Sequence, residues 1–179
     1  MSSLCPLPAD GYEIGWQTWD AEHAETLTLT WENEAWTAVG TVGREAVQYV
    51  VRLSPSWQVR QFMLFRDLDE PDLWLANDGH ARWGEINGAH RPELDGCIDV
   101  ELGCTPFTDT IPIRRLPIHV GDAAEVRVVT VDVDTLEVAV ATRRYERVGE
   151  HRWRRDGVEF DTDQYGLVLD HPGTFRRVA

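Results

Sequence analysis

The sequence predicts a mainly β protein with little helix: a single large curled antiparallel sheet forming a half-open barrel. Three observations carry this. Apolar and polar residues alternate with period two through most of the chain, as in Thr26-Leu27-Thr28-Leu29-Thr30-Trp31. Hairpin-type dipeptides punctuate the alternation, Asp78-Gly79 and Asp156-Gly157 most clearly. Stretches with helical apolar periodicity are scarce. Helix should therefore take up less than about a fifth of the chain, below the usual third.

In chain order, Thr26–Trp31 is the first strand, with Leu27, Leu29 and Trp31 on one face and threonines on the other. Further strands are expected over 35–42, 46–53, 57–66, 72–77 and 81–86, then 97–102, 111–118, 125–133 and 136–148, and finally 151–155, 158–162 and 167–170. Asp78-Gly79 joins Trp74-Leu75 to Trp83, and Asp156-Gly157 joins Trp153 to Phe160. Asp134-Thr135 and Gly149-Glu150 are weaker turns. Short helices fit only Asp20–Thr26 and Asp122–Val126, neither with two turns of apolar periodicity. About a dozen strands in one sheet must curl to remove their edges. Repeats, linkers and composition shifts are absent, so residues 1–179 are expected to form one domain.

Composition bounds the function. The hydrophobic fraction of 42% supports a packed core. The 31 acids against 17 bases give a net charge of -14, which argues against nucleic acid and anionic membranes as partners. All 17 bases are arginine, the cation suited to two-pronged anion binding. Three cysteines, Cys5, Cys97 and Cys104, suit a reducing compartment. With no apolar leader at the start and no run of about 20 apolar residues, the expectation is a cytoplasmic protein without a membrane span.

The densest polar chemistry lies between Asp95 and Arg115. A turn at Asp95-Gly96 precedes a strand that directs Ile98, Val100 and Leu102 to one face and Cys97, Asp99 and Glu101 to the other. A loop follows, Thr105 to Thr110, with Pro106 and Pro112 fixing its backbone and Thr105, Thr108 and Thr110 offering hydroxyls. Arg114 and Arg115 end it. On a strand these neighbours point oppositely, so one should face inward to a carboxylate of Asp95, Asp99, Glu101 or Asp109 and the other should face solvent. Asp99 and Glu101, about 7 Å apart on one strand face, could serve acid–base chemistry; pairing with arginine is the plainer use.

Other groups carry less. The eight tryptophans suit core packing and equally the walls of a cavity. Six scattered histidines, and a six-residue gap between Cys97 and Cys104, give no metal-ligand spacing, so no metal and no cofactor are expected. Residues 143–155 hold six arginines and two glutamates, a basic hairpin for cross-strand ion pairs or an anionic headgroup.

The wording of several segments is familiar: Arg82-Trp83, Leu94-Asp95-Gly96-Cys97-Ile98-Asp99-Val100, Thr105-Pro106-Phe107-Thr108 and Ile111-Pro112-Ile113-Arg114-Arg115-Leu116. With weaker matches at Arg144-Tyr145 and Gly166–Pro172, these resemble the putative glycolipid-binding proteins of bacteria and archaea. Asp109 departs from them, standing where asparagine is usual. The resemblance implies a curled antiparallel sheet shaped like bacterial lipoprotein carriers and glycolipid-trafficking lipoproteins, although those are exported. It also implies non-enzymatic binding of an amphipathic, glycolipid-like small molecule in the concave face. The candidate ligand-binding residues are Trp83, Asp95, Cys97, Asp99, Glu101, Thr105, Phe107, Thr108, Asp109, Thr110, Arg114, Arg115 and Tyr145. The alternative is an enzyme using the 95–115 loop, with Asp99, Glu101 or Asp109 as acid or base and an arginine as anion clamp. A third reading is a scaffold in which these residues form a buried bonded network.

Overall fold

Strand accounts for 50% of the chain and helix for 7% in the computed structural model, which describes residues 4–43, 47–67 and 69–178. Seven strands come first: β1 (Tyr12–Thr18), β2 (Ala24–Glu32), β3 (Ala35–Val42), β4 (Val47–Leu53), β5 (Val59–Arg66), β6 (Leu73–Asn77) and β7 (Trp83–Glu85). Each is antiparallel to the next, with registers such as Leu29↔Ala38 and Val51↔Phe62 that keep the apolar residues on one face. A 3-10 turn (Pro92–Leu94), β8 (Asp99–Leu102) and helix α1 (Phe107–Arg115) follow. The chain closes with β9 (Ala123–Val131), β10 (Val138–Arg147), β11 (Arg152–Arg155), β12 (Val158–Asp161), β13 (Asp170–His171) and β14 (Phe175–Arg177).

The mainly β half-barrel is present, with its strands divided between two sheets rather than held in one. The larger runs β13-β14-β1-β2-β3-β4-β5-β6-β7, and the smaller, curled one runs β12-β11-β10-β9-β8. β8 pairs parallel with β9, from Asp99↔Val128 to Leu102↔Val131. The cause is the connection: a parallel neighbour needs a crossover, and α1 supplies it.

Local chemistry explains most elements. Asp156 and Gly157, both at positive φ, make the two-residue turn that sets Arg155 opposite Val158. Five expectations fail, each for a physical reason. Only Asp170 of the strand expected over 167–170 is in a strand, because Asp163 turns the chain there, its Oδ1 accepting from Leu167 N at 3.0 Å. Asp20–Thr26 is no helix: Asp20 Oδ1 accepts bonds from Thr18 Oγ1 at 2.6 Å and Glu22 N at 3.0 Å, turning the chain into β2. Asp122–Val126 is the start of β9, held by its pairing to β10. Most of the expected polar loop 105–110 and strand 111–118 is α1, from Phe107 to Arg115, although Pro112 sits inside it and its threonines and isoleucines favour strands. Burial overrides propensity there, since every residue from Phe107 to Ile113 is buried. β1 is not among the expected strands although Tyr12, Ile14 and Trp16 alternate with Glu13, Gly15 and Gln17, and β14, Phe175–Arg177, is too short to show a period. Position 46 of the expected strand 46–53 lies outside the described residues.

α1 serves both halves of the core. Phe107 and Ile111 join the inner face of the large sheet, with Leu27, Leu29, Tyr49, Val51, Phe62, Leu64 and Leu75. Ile113 joins the second cluster, with Val126, Val128, Tyr145, Trp153 and Phe160 on the curled sheet and Val168 in the segment after it. Truncating any of these large side chains to alanine removes packing worth about 2–5 kcal/mol. Trp16, Trp36, Trp57, Trp83 and Trp153 are buried, and Trp19 is exposed. Among the described residues no helix is long and apolar enough to cross a membrane.

Candidate functional site

The sequence candidates converge on a polar seam between α1 and one face of the curled sheet, opposite the Val100–Leu102 face that joins the core of the large sheet. Register places Asp99, Glu101, Arg143, Tyr145 and Arg155 on the seam's face. α1 adds Asp109 and Arg115 from opposite ends. Asp99, 1% exposed, receives both prongs of the Arg115 guanidinium. Burial pushes its carboxyl up while Arg115 opposes that. Glu101 takes two bonds from Arg143, at 2.8 and 2.9 Å. Asp109 accepts from Tyr145 Oη at 2.7 Å and from Arg155 Nη1 at 2.7 Å. The burial of Asp109 raises its carboxyl, with Arg155 and Tyr145 pulling against it. Burial and the Asp109 charge push the Tyr145 phenol far up, so it stays a donor. The extra charge that Asp109 brings is thus met by Arg155.

The remaining candidates go elsewhere. Trp83 lies in the core, its Nε1 donating to the Cys97 carbonyl at 2.9 Å. Asp95 accepts from Trp83 N at 3.0 Å and lies 2.8 Å from His90 Nε2. Cys97 is buried while Ile98 is 37% exposed, so the expected alternation holds only from Asp99 onward. Thr108 Oγ1 accepts from Leu102 N at 3.4 Å, and Thr110 Oγ1 donates to the Gly166 carbonyl at 2.9 Å. Arg114 stacks over Trp57 on the far side of α1's last turn, so the inward-and-outward expectation for the arginine pair is half right. Arg115 meets its carboxylate; Arg114 is covered rather than solvated. The basic hairpin is laced by ion pairs, including Arg154 with Glu146 at 3.1 Å and with Glu159 at 2.7 Å.

Sequence reasoning missed one group. Glu25 on β2 is 5% exposed, and its Oε1 accepts from Tyr49 Oη and from Thr105 Oγ1, the latter at 2.7 Å. Its Oε2 is buried without a partner, and burial pushes the carboxyl up to about 7 against its two hydroxyl donors. Thr105 Oγ1 also accepts from the N–H of Phe107, the first residue of α1, at 3.0 Å, so this carboxyl is tied to the helix start. Tyr49 reaches it because its ring lies over Gly40, where a Cβ would overlap the ring, and stacks on Phe107. Gly40→Ala is therefore expected to destabilise by roughly 1–3 kcal/mol through overpacking. Urea unfolding at unchanged slope would measure this; a loss below about 0.5 kcal/mol would mean the ring is free to move.

The open space lies beside the seam. A groove of about 590 Å³ is lined by Glu101, Cys104, Thr130, Ala139, Ala141 and Arg143, with Asp132, Asp134 and Glu137 toward one end. Glu101↔Thr130 and Thr130↔Ala139 are register partners, so these residues share the face that carries α1. Among the described residues no group of three or more His, Cys, Asp or Glu is placed to hold a metal ion.

Comparison with known proteins adds two findings. Residues 13–177 match a protein family described as "Putative glycolipid-binding". The fold is similar to the crystal structure of a DUF1089 family protein from Pseudomonas aeruginosa, at 26% identity and a TM-score of 0.69, over 98% of this chain and 96% of that one. The curated proteins contain no match.

Proposed function

Since this chain belongs to the family described as "Putative glycolipid-binding", we propose that it binds the polar head of an amphipathic, glycolipid-like ligand without transforming it, in the groove beside α1. The carrying observation is that groove: about 590 Å³ on the sheet face that carries α1, where the Glu101–Arg143 pair meets solvent. Its chemistry fits a sugar. Carboxylates at Glu101, Asp132 and Asp134 accept hydroxyl protons, the Arg143 guanidinium donates, and Ala139 and Ala141 leave a small apolar floor for a ring's C–H face. Of the residues singled out from the sequence, Glu101 lines this groove; Asp99, Asp109, Arg115 and Tyr145 hold the wall behind it. The acid–base alternative has less support, because Asp99, Glu101 and Asp109 are each engaged by an arginine.

The test is calorimetric titration with a soluble alkyl glycoside, set against a zwitterionic surfactant of equal chain length. The wild type should bind the glycoside and ignore the zwitterion. Ala139→Trp, at an exposed groove position, should weaken glycoside binding at least tenfold, about 1.4 kcal/mol, with an unchanged circular dichroism spectrum. Equal binding of both surfactants, or an undiminished affinity in the variant, sinks the proposal.

A further inference from the structure

We propose a second binding site, separate from the groove, for a small amphipathic anion: a carboxylate or phosphate head on an apolar body. It is the depression where the N-terminal segment passes the β4–β5 turn. This space of about 340 Å³ is walled by Leu4, Leu7, Trp36, Pro55 and Trp57, and Arg114 is the charged side chain in its lining. None of its lining residues lines the groove.

The argument starts from Arg114. The chain carries 31 acids against 17 arginines, yet among the described residues no carboxylate lies within ion-pair distance of this guanidinium. Asp163, whose charge reaches it, is bonded instead to Arg177 at 3.1 Å. Arg114 Nη1 donates to the carbonyls of Tyr165 at 2.6 Å and Cys5 at 3.3 Å. Its Nε is buried and meets no acceptor. A cation so placed carries a desolvation cost that no bonded anion offsets, Asp163 acting on it only from a distance. A carboxylate or phosphate oxygen supplies what is missing, and the fork of an arginine is the group shaped to take it.

The surroundings specify the rest of the ligand. The guanidinium lies over the Trp57 ring, 4.9 Å from its centroid, which holds it flat. Trp57 adopts φ 65°, a left-handed conformation rare for a bulky residue, fixed by a bond from its N–H to the Ser54 carbonyl at 2.9 Å. Strain of this kind gathers at ligand sites. Trp36 continues the wall, its ring 6.2 Å from that of Trp57. An acyl or other apolar body lies along this aromatic wall while its anionic end reaches Arg114.

Calorimetric titration with decanoate, decyl phosphate, inorganic phosphate and a neutral decyl glycoside tests the site. Decanoate and decyl phosphate should bind, and inorganic phosphate at equal concentration should not. Arg114→Gln should weaken both alkyl anions at least tenfold while leaving the glycoside unaffected, which keeps this site's failure distinct from the groove's. Ser56→Glu sets a carboxylate on the exposed rim without touching Arg114, and should weaken the anions severalfold. It covers the case in which the arginine variant does not fold. Undiminished decanoate affinity in either folded variant overturns the proposal. So does phosphate binding as tight as that of decyl phosphate, which would remove the apolar half of the ligand.

Discussion

Arg115→Ala should lower stability by about 3–5 kcal/mol, the cost of breaking a buried ion pair from one side. Asp99 is 1% exposed and both its oxygens are held by the Arg115 guanidinium, whose own side chain is 12% exposed. Without the arginine, the carboxylate either stays charged in the interior or takes up a proton. Both outcomes favour the unfolded chain, where Asp99 is hydrated. Much of the loss should return in Asp99→Leu/Arg115→Leu, which removes both charges and leaves apolar groups in their place. Urea unfolding of the two single variants and the pair measures the coupling. A single-variant loss under 0.5 kcal/mol would show that the pair is a surface contact and that the seam does not hold α1. Exposed pairs in the same protein, such as Arg152 with Asp161, should have no comparable effect.

Glu25 should make the folded state less stable as pH rises from about 4.5 to about 7. Its carboxyl is pushed from the ordinary 4.5 to about 7 by burial, with Tyr49 and Thr105 as its donors and Cys104 and His23 in the same small pocket. Because the folded value is the higher one, the native state holds its proton over a range where the unfolded chain has lost it. The stabilising effect is complete below about 4.5 and is gone above about 7. A gap of that size is worth roughly 3 kcal/mol. Glu25→Gln mimics the neutral acid, so it should match the wild type near pH 4.5 and exceed it by up to about 3 kcal/mol at pH 8. Melting both proteins across that range isolates Glu25 from Asp99 and Asp109, whose burial acts in the same direction. Parallel pH profiles would mean that Glu25 titrates as an ordinary surface acid.

Much of the fold was legible because strand formation is written in nearest-neighbour chemistry. The Leu27, Leu29, Trp31 alternation and the Asp156-Gly157 turn each act over a few residues, and the strands and hairpin follow directly. Helix α1 was legible too, had its end signals been weighed above its interior. Thr105-Pro106 opens it, Asp109 lies in its first turn and Arg114-Arg115 lie in its last, the charge order that a helix dipole favours. Pro112 and the β-branched residues read as strand because propensity scales carry no term for a segment buried on every side.

The β class, the hairpins, the segment that holds the polar chemistry and the family resemblance were all readable in the residues alone. Tertiary structure decided which charges meet. Seventeen arginines among 31 acids admit many pairings. Only the parallel β8–β9 register and the placement of α1 set Arg115 on Asp99 and Arg155 on Asp109, and left Arg114 against Trp57. Glu25 shows the same limit. In Glu25-Thr26-Leu27-Thr28 it occupies a strand end like any solvated acid. It became a buried carboxyl because Thr105, 80 residues away, closes over it. Pairing and burial depend on distances between elements, and local sequence patterns hold no information about those distances.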